Sequence, residues 1–194
     1  MSVNGTVVHC NNSVRLYPCY KSSRSLIHRA IHRLGMTFKE RSIHYEYLQA
    51  IANAKHFLYI ENQFFISSLA GEDLVQNQIA AAIARRVAAA IKGHEAFRVV
   101  IVLPQHPEGS YLESATVRYL MHFQYLTICR GDSCLMNAIK RECPQGVDLS
   151  EYLSFYCLAN WGVLNEKLVR EQVYVHSKVR TEYRTSRSMR STMV

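Results

Sequence analysis

The sequence predicts an α/β fold, with a mostly parallel or mixed sheet flanked by helices, and three observations carry that prediction. Short apolar runs of strand length alternate with longer segments whose apolar residues recur every three or four positions. Turn residues bound these runs, as Pro104 does after the apolar stretch at 98–103. Of the 194 residues, 48% are hydrophobic and 20% charged, which supplies one globular core and argues against wholesale disorder.

Taken in order, Ser42 is placed to cap a helix in which Ile43, Tyr47, Ile51 and Ala54 share a face, with Glu46 near the positive end of its dipole. A buried strand follows at 57–60. The segment 72–92 predicts a helix, because Val75, Ile79, Ile83, Val87 and Ile91 fall in register, its alanines lose little entropy, and Gly93 stands where it should end. The run at 98–103 predicts a second strand. Residues 104–109 are turn chemistry, after which 111–129 has helical spacing through Leu112, Ala115, Tyr119 and Phe123. A helix at 133–142 and strands at 152–158 and 171–179 complete the alternation, which is the pattern of an α/β sheet.

Upstream of this body the pattern is poor, with loop-like Asn11-Asn12-Ser13 and a short strand at 14–17. The expected division is a basic N-terminal segment at 1–41, an α/β domain at 42–179, and a basic Ser/Arg tail at 180–194 that should be disordered. The net charge of +8 is uneven. Residues 21–41 carry six basic side chains against Glu40, the tail carries four arginines against Glu182, and the body is balanced at 12 basic against 13 acidic. Basic flanks can attract anionic membrane or nucleic acid, although a solvated flank is the plainer reading.

Six cysteines occur without a Cys-x-x-Cys pair, which argues against a zinc site. With no signal-peptide pattern, a reducing cytoplasmic setting with free thiols is the expectation. The longest largely apolar run, 79–91, is interrupted by Arg85 and Arg86 and is too short to span a bilayer, so any membrane contact should be peripheral.

The chemistry-bearing segment is Tyr174-Val175-His176-Ser177-Lys178. On a strand, His176 and Lys178 would project from one face while Val173, Val175 and Val179 point into a core. An imidazole there can attack a phosphodiester phosphorus, and an ammonium beside it can neutralise the phosphate oxygens. A His-x-Lys tripeptide arises easily by chance, and a hydrogen-bonded structural histidine is the bland alternative. Three further segments precede it: Tyr59-Ile60-Glu61-Asn62-Gln63-Phe64-Phe65-Ile66-Ser67, then Met121-His122-Phe123-Gln124-Tyr125-Leu126-Thr127-Ile128-Cys129-Arg130-Gly131, then Tyr152-Leu153-Ser154-Phe155-Tyr156.

These four ordered segments resemble the eukaryotic phospholipases D of the class with PX and PH domains upstream, over roughly 42–179. The resemblance implies part of the C-terminal half of that fold, incomplete, carrying a truncated second half-site. It also implies phosphatidylcholine hydrolysis to phosphatidate and choline, with His176 as nucleophile and Lys178 as phosphate ligand. Glu61, Asn62 and Gln63 would line the cleft, with hydrogen bonding of Glu61 and Gln63 to backbone at a bend as the equal alternative. His122 and Arg130 carry over as supporting residues, and Trp161, the only tryptophan, receives no role. No metal or cofactor is implied.

Two departures stand out. Family members use two half-sites, one imidazole attacking while the other protonates the leaving alcohol. No second His-x-Lys occurs here. The family motif also has an aspartate after four further residues, expected to orient an imidazole, and Tyr183 occupies that place. The expectation is therefore a phospholipase D portion that is inactive alone and needs an upstream half-site in cis or in trans. Its expected partners are phospholipid and an anionic membrane surface rather than nucleic acid. A homodimeric single-half-site phosphodiesterase or nuclease, and a non-catalytic binding protein for anionic membrane or nucleic acid, are the alternatives.

Overall fold

The computed structural model describes residues 41–69, 75–185 and 188–193. The N-terminal segment 1–40, with the strand expected at 14–17, lies outside them. Helix α1 spans Ser42–Asn53, and its cap position falls on Arg41, so Ser42 is the first helical residue rather than the cap. The expected face holds for Tyr47 and Ile51, which are buried, while Ile43 is exposed. Strand β1, Phe57–Asn62, follows and buries Leu58 and Ile60 on one face.

Helix α2 spans Ile79–Lys92, starting later than its apolar period suggests. Residues 75–78 are non-helical because Asn77 is engaged elsewhere: its side chain donates to the Ile66 carbonyl at 2.9 Å, and its own carbonyl accepts from Ser68 N and Ser67 Oγ. The left-handed position that ends α2 belongs to His94 (φ 50°), not Gly93. His94 N donates to Ile91 O and Glu95 N to Ala90 O, the paired bonds that satisfy the last carbonyls of a helix.

Strand β2 is Arg98–Val102, and helix α3 is Ala115–Ile128, opened by Ser114, whose Oγ accepts from Val117 N at 3.3 Å. That cap sets the boundary four residues inside the expected helix. Helix α4 spans Leu135–Glu142, a short 3-10 turn Leu149–Glu151, and strand β3 Leu153–Tyr156. A hairpin that apolar patterning did not suggest comes next, β4 Leu158–Leu164 and β5 Lys167–Val173. Strands β6, Lys178–Thr185, and β7, Ser188–Met193, close the chain.

The α/β architecture is as expected, and its sheet is mixed. Five strands run in the order β3-β2-β1-β6-β7, with β1, β2 and β3 mutually parallel and β6 and β7 antiparallel to their neighbours. Leu58, Ile60, Val99, Ile101 and Leu153 turn one face of this sheet onto Ile83, Val87 and Ile91 of α2 and Leu135 and Ile139 of α4, forming the core. Arg86 ties α2 to the approach of β1, donating to Ala54 O at 2.8 Å, pairing with Glu95 at 2.6 Å and covering the Phe97 ring at 4.1 Å. Among the described residues no helix is long and apolar enough to cross a membrane.

Two expectations at the C-terminal end are corrected. Of the tail expected to be disordered, the described residues 180–185 and 188–193 lie in strands, and the backbone at 178–183 pairs with β1 from Asn62↔Lys178 to Phe57↔Tyr183. Open hydrogen-bonding groups along that edge of β1 recruit it, and a local composition rich in Ser and Arg does not register such a long-range partner. The strand expected at 171–179 is two strands in different sheets, broken at 174–177. Val175 is accordingly buried, whereas Val173, on the hairpin, is exposed.

Candidate active site

The site forms where β1 ends and β6 begins. Asn62 pairs with Lys178, and one residue on, Gln63 N donates to Ser177 O at 3.2 Å. The Gln63 side chain then bridges two groups. Its Nε2 donates to Tyr174 Oη at 2.9 Å, and its Oε1 accepts from Lys178 Nζ at 3.0 Å. Lys178 Nζ also donates to the His176 carbonyl at 2.9 Å, and the Tyr174 and His176 rings lie 6.4 Å apart.

His176 and Lys178 therefore meet, but not as successive outward residues of one strand. His176 is exposed in the connection at 174–177, while Lys178 opens β6 and folds back on the His176 backbone. The strand crossing from the hairpin to the central sheet imposes this bend. Both acceptors of the ammonium are neutral oxygens, and among the described residues no carboxylate pairs with it. A lysine so held has one of its three donors left for an incoming anionic oxygen. Among the described residues no group of His, Cys, Asp and Glu gathers where a metal ion could be held.

Of the three residues expected in the cleft, only Gln63 reaches this cluster. The Asn62 side chain turns toward α1 instead, where it hydrogen-bonds the Tyr47 hydroxyl, and its Oδ1 is buried without a hydrogen-bond partner among the described residues. Glu61 accepts from Tyr59 Oη at 2.6 Å. His122 is exposed on α3 beside Phe123, and the Arg130 guanidinium sits 5.5 Å from the Tyr125 ring. Sequence reasoning missed Tyr174. Its position two residues before His176 was the available signal, but its tie to Gln63 spans 111 residues.

The loop at 63–69 is fixed from behind by α3. Phe65 N donates to Gln124 Oε1 at 3.1 Å, Ser67 N donates to Thr127 Oγ1 at 3.0 Å, and the Thr127 hydroxyl lies 3.1 Å from Ser67 O and 2.9 Å from Phe123 O. Two of the ordered segments are thus one structural unit. Thr127→Val keeps the shape but leaves the buried Ser67 N–H unpaired, so a loss of about 2 kcal/mol is expected in urea unfolding. An unchanged midpoint would show that water replaces the hydroxyl.

Further along β6, Arg180 lies opposite Ile60 on the core face and is buried, donating to Glu46 O at 2.9 Å with its guanidinium 4.7 Å from the Tyr47 ring. Burial pushes the Tyr47 hydroxyl above its ordinary pKa of 10.0, outweighing the opposing pull of Arg180 and Asn62. The folded state thus favours protonated Tyr47. Its stability contribution is intact below the unfolded value near 10 and is lost as pH rises through the higher folded value. Tyr47→Phe should remove part of the alkaline stability loss seen on comparing urea midpoints at about pH 8 and about pH 11. Equal losses in both proteins would dismiss this assignment.

The family model described as Phospholipase D matches residues 11–193. This chain belongs to the phospholipase D family. Phospholipase D A of Dictyostelium discoideum is 46% identical over 140 residues, covering 72% of this chain and 11% of that protein. Phospholipase D zeta 1 of Arabidopsis thaliana is 42% identical over 151 residues, and Phospholipase D1 of Homo sapiens is 39% identical over 149, each covering 75% of this chain and 14% of the relative. The chain thus spans between 11% and 14% of the length of these phospholipase D relatives.

The register also bears on the departure at position 183. Tyr183 pairs with Phe57, at the far end of β1 from the Asn62↔Lys178 pair. Five residues of strand separate position 183 from Lys178, roughly 17 Å. A carboxylate there would be too distant to orient the His176 ring. In this phospholipase D chain the substitution therefore falls on the other end of the sheet.

Proposed function

We propose that His176, Lys178, Gln63 and Tyr174 form one half of a phosphodiester-hydrolysing site. Joined by a second half-site, it converts phosphatidylcholine to phosphatidate and choline, and the chain with its single half-site is inactive alone. One observation carries this reading: the Lys178 ammonium is held beside His176 by neutral oxygens, at the carboxyl end of β1, without a carboxylate to cancel its charge. Ligands in α/β sheets bind outside the carboxyl ends of the strands.

In the first step an imidazole nitrogen of His176 bonds to phosphorus and the P–O bond to choline breaks. The choline oxygen takes a proton from the imidazolium of the second half-site. That imidazole, now neutral, takes a proton from water, whose oxygen bonds to phosphorus as the P–N bond breaks, releasing phosphatidate and restoring His176. Lys178 stabilises the negative charge on the equatorial oxygens in both steps. Tyr174 and Gln63 position the ammonium. Encounter with the substrate is peripheral, at a membrane surface.

The test combines the 194-residue chain with a separately produced upstream half-site from a family member and measures choline release from phosphatidylcholine. Release only in the combination is expected. No release from a combination shown to associate would overturn the reading, and release by the chain alone, as a dimer, would favour two copies of His176 facing each other.

A further inference from the structure

We infer that the β4–β5 hairpin is a lipid-docking element that lies flat on the phospholipid surface and sets the height of His176 above it. The hairpin pairs with no third strand among the described residues. Directly opposed residues of an antiparallel pair share a face, so Ala159 and Gln172, Trp161 and Arg170, and Val163 and Leu168 line one side. Trp161 is 42% exposed, Val163 73% and Leu168 70%, so this side presents a row of uncovered apolar groups. The same side holds a cation and no acid, with the Arg170 guanidinium 5.3 Å from the Trp161 ring.

That combination matches a phospholipid interface. An indole settles among head groups, a guanidinium stacked on it meets phosphate oxygens, and the Val163–Leu168 pair reaches the acyl boundary. A hairpin inserted tip first would carry Asn165 and Glu166 of its turn, and both unpaired strand edges, into hydrocarbon. Lying flat leaves these groups in water. The turn residues, at φ 49° and 65°, hold the two strands in one register, so the face is a single platform. Val173 ends the hairpin three residues before His176, within roughly 10 Å of chain.

The choice of lipid rests on the phospholipid reading above, and the experiment separates the two. Trp161 is the only tryptophan of the chain and therefore reports on the hairpin itself. Adding pure phosphatidylcholine vesicles to the full chain should shift its emission to shorter wavelength, and acyl-brominated phosphatidylcholine should quench it. Val163→Asp with Leu168→Asp should weaken vesicle partitioning by on the order of a hundredfold. Val163→Ser with Leu168→Ser, a milder change at the same exposed positions, should weaken it by roughly tenfold and serves if the double aspartate misfolds.

Emission unchanged by vesicles, or serine-variant partitioning equal to that of the original, would overturn the inference. So would a blue shift that grows with protein concentration in the absence of lipid, because a second copy would then cover the hairpin. Vesicle binding without choline release in the complemented chain would refute the phosphodiester reading and leave the docking role standing. Hydrolysis of a monomeric short-chain phosphatidylcholine that survives both substitutions, while vesicle binding is lost, would support both.

Discussion

Replacing His176 with asparagine is expected to lower choline release by the complemented chain at least about a thousandfold, because the proposed covalent bond to phosphorus is made by its imidazole and an amide cannot make it. Asparagine retains hydrogen-bonding capacity at an exposed position, so folding and vesicle binding should be unchanged. Lys178 bonds the His176 backbone carbonyl rather than its ring, and so the ammonium should keep its place in the variant. This separation makes the experiment specific. Retention of most of the rate would remove His176 from the chemistry, and loss of folding would assign it to structure.

The second large effect is on stability. Ile101 sits in the middle of β2, opposite Ile60 on one side and Phe155 on the other, fully buried beneath α2 and α4. Truncation to alanine removes three carbons from a site bordered by parallel strands, where the backbone cannot close the gap. A loss of about 3–4 kcal/mol is expected, to be read as a lower urea midpoint at unchanged slope. Leu112→Ala, at a residue with 85% of its surface exposed, should change stability by less than about 0.5 kcal/mol. Similar effects at both positions would mean that Ile101 is not in the core described.

The alternating body was legible because its periodicities are strong and local. The apolar spacing of Ile83, Val87 and Ile91 requires a buried helix face, and the run through Val99 and Ile101 requires a strand covered by it. The hairpin was not legible. Its turn uses Asn165 and Glu166 at positive φ, without the glycine that usually advertises such a turn, and its apolar residues lie on both faces instead of alternating. Hidden in the same way was the start of α2, where Asn77 trades helical bonds for contacts with residues 66–68.

Residue identity and order alone settled the α/β class and the presence of an imidazole and an ammonium two positions apart. Those properties depend on local periodicity and composition, which any short window of chain contains. The tertiary structure decided that Gln63 rather than Glu61 or Asn62 holds Lys178, that Tyr174 completes the cluster, and that position 183 lies at the far end of the sheet. Each of these follows from β1 pairing with β6 across more than a hundred residues, because strand register assigns every side chain to a face and an end.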